Sequence, residues 1–221
     1  MVEIIKKILR PFYVPVMNWH HRVFKAPKRY HHFFDEIARS KAQTILEIGT
    51  WNGNRALEMI KTAKENSPGS IKYIGFDLFE DLTEELYVQE LSKKPPTKNE
   101  VQEKLLKSGA EILLIKGDTN KTLTEFADGT EKVDFVFIDG GHHVATISND
   151  WAAVEKLMHD KTVVIFDDYW RNRPAESAKP VVDAIDQTKY IVEVLPEIDS
   201  FNNPDFGRLE ISFAKVTKRN P

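Results

Sequence analysis

"VDFVFIDGGHH" (residues 133–143) opens with apolar, β-favouring residues and stops at Asp139, with two glycines and two histidines behind it. "VVIFDDYW" (163–170) has the same form and runs into the pair Asp167–Asp168. A carboxylate at the edge of a core is costly unless something compensates it. Two buried strands that both end in acid therefore ask what lies beside them.

Working outward, "QTILEIGT" (43–50) is a short apolar run ending at Gly49, "SIKYIGFDLF" (70–79) turns polar at Asp77, and "AEILLIKGD" (110–118) ends at Gly117–Asp118. Helical patterns lie between these runs. "NRALEMIKTAKEN" (54–66) separates Leu57 and Ile60 from Lys61 and Lys64, while Val144, Ile147, Trp151, Val154 and Met158 recur at spacings of three and four. "NEVQEKLLKSG" (99–109) predicts a helix capped by Asn99 with Gly109 past its end. A short helix is expected at 121–127, and residues 80–98, broken by "KKPPTKN", read as a surface insertion. Pro180 suits the first turn of a last helix, "VVDAIDQT". "YIVEVLPE" and "RLEISFAKV" read as terminal strands with a loop between them.

Strands alternating with helices predict an α/β fold, a parallel sheet covered on both faces. In such sheets the ligand crevice lies beyond the carboxyl ends of the strands. Gly49, Asp77, Asp118, Asp139 and Asp167 all fall on that edge, which makes the edge a candidate site.

The chain of 221 residues is long enough for one substantial core, and its net charge of −3 gives no global reason to expect nucleic acid as a partner. It contains no cysteine, which excludes a disulfide framework and a thiolate metal site. No stretch approaches the ~18 to 20 consecutive apolar residues of a membrane span. The N-terminus lacks the order of a secretory signal, so a cytoplasmic protein is expected. Residues 1–32 carry Lys6, Lys7, Arg10, Arg22, Lys25, Lys28 and Arg29 against a lone Glu3. Residues 1–40 thus read as an N-terminal basic arm with a helical extension, preceding a domain at 41–221. Such an arm can lie on an anionic membrane surface, or pack on its own domain or on a second subunit of a homo-oligomer. The histidine pairs at 20–21 and 31–32 are adjacent in sequence, so their rings diverge and read as surface groups.

In "EIGTWNG" (47–53), Gly49 and Gly53 permit a tight turn and close backbone approach to a ligand. The dinucleotide fingerprint G-x-G-x-x-G is absent. Asp77, ending the second strand, suits the two hydroxyls of a ribose, because a carboxylate can accept from both. Together they point to a nucleoside.

In order and spacing, "ILEIGTWNG", "YIGFDLF", "IKGD", "FVFIDGGHH" and "VVIFDDYW" resemble the landmarks of class I S-adenosylmethionine-dependent methyltransferases. The I-D-G-x-H ending followed by D-D-Y is most similar to small-molecule O-methyltransferases of the methyltransferase-24 type, and to the macrocin and novobiocin sugar O-methyltransferases. The resemblance covers about residues 43–216. It implies a Rossmann-like, doubly wound, seven-stranded sheet, mostly parallel with the last strand antiparallel. It implies S-adenosyl-L-methionine as cofactor, with Gly49, Thr50, Trp51 and Gly53 shaping the loop around the methionine portion and Glu47 beneath it. Asp77 and Leu78 would serve the ribose, Gly117 and Asp118 the adenine, and Asp139 and His142 the methyl-donor end. The acceptor would be a small hydroxylated molecule such as a sugar, a glycoside or a similar metabolite.

In the sugar and catechol enzymes, the positions matching Asp139, Asp167 and Asp168 bind a divalent cation, so Mg²⁺ or another divalent ion is implied. Physics points the same way: clustered carboxylates raise one another's pKa values unless a cation neutralises them, and an all-oxygen set suits Mg²⁺. The alternative is that Asp167 braces the strand end while Asp168 meets solvent. His142 is the candidate general base, because Gly141 stands where the sugar enzymes often carry a second acid. Alternatively, His142 only hydrogen-bonds the cofactor or a loop. Trp170, Arg171 and Arg173 could line the acceptor pocket, the arginines favouring an anionic substrate, or form a solvated loop. Two other functions stay open at this point: a nicotinamide-dependent oxidoreductase, and a non-catalytic cofactor-binding scaffold whose arm docks a membrane or partner.

Overall fold

Strand β1 (Thr44–Ile48) lies at the middle of one sheet, paired in parallel with β2 (Lys72–Asp77) on one side and β4 (Val133–Ile138) on the other. The computed structural model describes residues 29–89, 94–129, 131–203 and 207–219. Most of the expected basic arm, including the His20–His21 pair, lies outside the described residues. β3 (Glu111–Lys116) extends the sheet beyond β2, and β5 (Met158–Trp170) extends it beyond β4, both in parallel. β8 (Gly207–Lys218) then runs antiparallel to β5 and to β6 (Tyr190–Val194), giving the order β3-β2-β1-β4-β5-β8-β6. The expected antiparallel last strand is thus present, inserted between β5 and β6.

The sheet has one strand more than expected. β7 (Asp199–Asn203) occupies the stretch read as a loop and pairs antiparallel with the start of β8, from Asp199↔Ile211 to Asn203↔Gly207. β6 covers only residues 214–218 of the same side of β8, so β7 satisfies backbone groups that β6 leaves uncovered.

Both faces are covered because β1, β2, β4 and β5 are apolar on both sides. Ile45, Phe135, Phe137 and Ile165 pack with α1 (Tyr30–Ser40), α2 (Asn54–Asn66) and α4 (Lys98–Leu106) through Phe33, Ile37, Met59, Ile60, Val101 and Leu105. Leu46, Ile48, Val136, Ile138 and Val164 pack on the other face. Their partners are α5 (Thr119–Ala127), α6 (Val144–Leu157) and α7 (Ala178–Asp183), through Leu123, Ile147, Trp151, Val154 and Val182. Helix α1, in the segment read as an extension, is therefore a working part of the core. Its Phe33 is fully buried and meets Phe137 at 4.5 Å between ring centroids.

Local chemistry departs from expectation at four points. Helix α4 is capped by Thr97, whose side chain accepts from Glu100 N while the Glu100 side chain accepts from Thr97 N. Asn99 is already inside the helix. The insertion at 80–98 carries a 3₁₀ turn at Phe79–Asp81 and helix α3 (Glu84–Gln89). Met158 does not close α6 but opens β5, and α7 stops at Asp183, holding Pro180 in its first turn as expected. No helix among the described residues is long and apolar enough to cross a membrane.

Candidate active site

The carboxyl ends of β1 to β5 surround a cavity of about 560 Å³, within the range that holds a cofactor and a small ligand. Its floor begins at Gly49, whose φ of +92° is a conformation glycine adopts freely. A Cβ there would fall 2.0 Å from the Asp139 carbonyl oxygen. Glycine is thus what lets the loops after β1 and β4 meet. Gly49 N donates to Phe76 O at 2.8 Å and Asp139 N to Ile48 O at 2.9 Å, locking three strand ends together.

Thr50, Trp51, Asp77, Leu78, Gly117, Asp118, Asp139 and His142 all line this cavity with Glu47 and Gly49. Gly53 does not. Its φ is +70°, and a Cβ there would meet Val101 and Leu105 of α4, so it shapes the turn from the outer side. Asp77 ties two turns together: Oδ2 accepts from Trp51 N at 2.7 Å and Oδ1 from Phe79 N at 2.8 Å. Burial pushes the Asp77 carboxyl up, and these N–H groups oppose the shift. Asp118 caps α5 by accepting from Asn120 N at 2.9 Å. Glu47 is fully buried and accepts from the Tyr73 hydroxyl, which also meets Thr50 Oγ1 at 3.2 Å. Burial pushes the Glu47 carboxyl up to about 8.

The two acids of β5 reach one cavity because the strand is irregular. Pairing with β8 runs Phe166↔Ala214 and then Tyr169↔Ser212, so β5 carries an extra residue at Asp167–Asp168, and Asp168 has φ +53°. In a regular strand adjacent side chains face opposite ways; the bulge turns both toward the site. One oxygen each of Asp139, Asp167 and Asp168 lies within 4.8 Å of the others.

None of this acid pair is bare. Asp167 holds Arg29 by a two-pronged contact, Nε–Oδ1 at 3.1 Å and Nη2–Oδ2 at 3.2 Å, and accepts from the Tyr30 hydroxyl at 3.2 Å. Asp168 Oδ2 lies 2.7 Å from His142 Nε2, and its Oδ1 accepts from Trp170 Nε1 at 3.2 Å. Burial raises the carboxyls of Asp139 and Asp167, with neighbouring acids adding to the effect. Burial also works against Asp168, yet His142, Arg29 and Trp170 hold its carboxyl below the usual range. The idea of Asp168 simply meeting solvent is therefore corrected.

The expected acceptor-pocket arginines are also corrected. Arg171 donates to Ser212 Oγ and the Leu195 carbonyl, Arg173 pairs with Glu176, and Trp170 is buried beside His142; none of the three lines the cavity. Register decides this, because β8 draws Arg171 to its own backbone through Arg171 N→Glu210 O. The cavity's arginines are instead Arg29 and Arg55, the latter 3.6 Å from the Tyr30 ring centroid, with Phe201 and Ile211 adding apolar wall. Neither Arg29 nor Phe201 carries a motif, and 138 residues separate Arg29 from Asp167. His32, read as a surface group, pairs with Glu197 at 2.6 Å.

Comparison with known proteins agrees with this architecture. An O-methyltransferase of Bacillus cereus, solved in complex with SAH, superposes with a TM-score of 0.57 at 14% identity, covering 87% of this chain and 82% of that one. The O-methyltransferase TomG of Streptomyces achromogenes, solved with SAM, gives 0.53 at 15% identity, covering 90% and 86%. An rRNA methylase of Streptococcus thermophilus gives 0.61 at 12% identity, covering 88% and 99%. At such identities the likeness is one of fold. Comparison with curated proteins returns no match. A family model described as a methyltransferase domain matches residues 46–169, a span from the glycine turn to the acid bulge. The cavity just described is the one that span encloses, and the chain belongs to the methyltransferase-24 family of methyltransferases.

Proposed function

We propose that the protein is an S-adenosylmethionine-dependent O-methyltransferase acting on a small hydroxylated molecule, with a divalent cation at Asp139, Asp167 and Asp168. The observation that carries this reading is one cavity joining a nucleoside-type set (Gly49, Asp77, Asp118) to an acid–histidine set (Asp139, His142, Asp168). Acids rather than cations dominate the chemistry at the edge, which favours a small acceptor over a nucleic acid. Solved structures of like fold hold SAH and SAM.

In this reading the cofactor supplies a sulfonium methyl group. Gly49 lets backbone approach its methionine portion, and Asp77, which has acceptor capacity left after two N–H contacts, receives ribose hydroxyls. Asp168 orients His142 through Nε2, and the imidazole takes the acceptor hydroxyl proton. The imidazolium that forms would then face the Asp168 carboxylate, which stabilises it. Asp139 would face both the cofactor and the acceptor side of the cavity it lines.

The acid set fits a hard divalent ion in donor chemistry and spacing. Behind it, a chamber of about 10 Å³ is lined by the three acids and Ser177. Ser177, whose buried Oγ has no hydrogen-bond partner among the described residues, lines the same chamber as the acids. A cation bound there would act as a Lewis acid on an acceptor oxygen.

Calorimetry with S-adenosylmethionine and with NAD tests the cofactor: heat with the first and none with the second is expected, and the reverse sinks the reading. Methylation of a panel of hydroxylated acceptors should stop with chelator and return with Mg²⁺; full activity in chelator removes the cation.

A further inference from the structure

Arg29 is the side chain that the acid set has in place of a bare edge. Its guanidinium holds both oxygens of Asp167, and its Nη1 reaches Asp199 Oδ2 at 3.0 Å. The Arg29 and Asp167 side chains are 8% and 3% exposed, so water does little to screen the pair. A guanidinium cannot be deprotonated in a protein. Arg29 is therefore a permanent positive charge lining the same cavity as Asp139 and Asp168.

We propose that Arg29 is a built-in competitor for the divalent cation: it neutralises Asp167 in the ion-free site and gives up that carboxylate when the ion enters. This rests on the cation reading above. Two cations sharing one buried carboxylate repel strongly at a separation of a few ångströms. The ion therefore cannot take Asp167 at full strength while the guanidinium keeps its two-pronged hold.

Arg29 has somewhere to go. Asp199 of β7 already accepts from Nη1, and Arg29 N lies 3.4 Å from the same carboxylate oxygen. The Phe213 ring lies 5.2 Å from the guanidinium carbon and offers a second cation-binding face. Moving from Asp167 onto Asp199 alone would leave no arginine charge unpaired. The strand that supplies Asp199 thus provides a resting place for the displaced cation.

The test is a titration of the full chain with Mn²⁺, followed by calorimetry, for the wild type, Arg29→Gln and Arg29→Lys. Removing the charge should tighten Mn²⁺ binding by about tenfold or more, while Arg29→Lys, which keeps the charge, should stay nearer the wild type. Unchanged or weaker Mn²⁺ binding in Arg29→Gln, with S-adenosylhomocysteine binding retained to show a folded site, overturns the competition. No Mn²⁺ binding in either protein at millimolar ion sinks the cation reading itself, and the proposal with it. A measurement on the unaltered protein covers the case in which Arg29→Gln fails to fold. With ¹⁵N-labelled arginine, the Arg29 Nε–H signal should shift on adding Mg²⁺; a Mg²⁺-saturated site that leaves it in place overturns the proposal.

Discussion

Glu47 lies under the glycine turn, where burial outweighs the Tyr73 hydroxyl and the Arg55 charge in deciding its proton. The carboxyl rises from its ordinary 4.5 to about 8. The folded protein then holds a proton that the unfolded chain releases between those values. The stabilisation linked to that proton is complete below about pH 4.5 and is lost as pH rises toward 8. Urea unfolding of the wild type should therefore show a decline over this window that Glu47→Gln lacks; parallel curves would contradict the buried, protonated Glu47. His142 poses a chemical question at the same scale. If it takes the acceptor proton, His142→Ala should lower kcat by about 10²- to 10⁴-fold with little change in S-adenosylmethionine affinity. A variant with full kcat would return His142 to a positioning role. Both histidine and acid could be singled out in the sequence, because each follows an apolar run. Their contact could not, since residues 142 and 168 meet only when β4 and β5 pair.

Two elements show how local chemistry and pairing divide the work. Helix α4 is set by a capping box legible in "TKNE", although Thr97 is its start and not Asn99. Thr97→Ala should cost about 1 kcal/mol by thermal or urea unfolding, whereas Asn99→Ala, inside the helix and exposed, should cost much less. Equal costs would place the cap at Asn99 after all. The bulge in β5 is the opposite case. Nothing in "FDDYW" announces an extra residue; it exists because Tyr169 and Phe166 pair with Ser212 and Ala214 of a strand over forty residues away. Yet this bulge is what turns Asp167 and Asp168 to one site. β7 belongs with it, since "DSFNN" carries little β-favouring pattern and is a strand because β8 leaves an edge for it.

At the scale of the whole molecule, the segment before β1 is part of the site as well as of the core. Helix α1 places Arg29 and Tyr30 on Asp167 while burying Phe33 among Phe135, Phe137 and Phe213. Phe33→Ala should cost about 3–5 kcal/mol of stability, the range for an emptied aromatic site in a core. It should also loosen the hold of Arg29 and Tyr30 on Asp167, which lose their platform, and so tighten Mn²⁺ binding at the acid set. A stability loss confined to ~1 kcal/mol would show that α1 is dispensable.

The alternation of apolar runs and amphipathic helices, and the acids at the run ends, were properties of the sequence alone. They determined an α/β sheet with a ligand edge because a strand's burial pattern and its polar end are local. What only the tertiary structure decided was which charges meet there: Arg29 on Asp167, His142 on Asp168, and Asp199 waiting beside them. Arg29 meets Asp167 across 138 residues of chain and Asp199 across 170, while His142 and Asp168 come from the ends of two neighbouring strands. These pairings depend on strand order, on one bulge and on a helix packed against the sheet, none of which has a linear spacing to read.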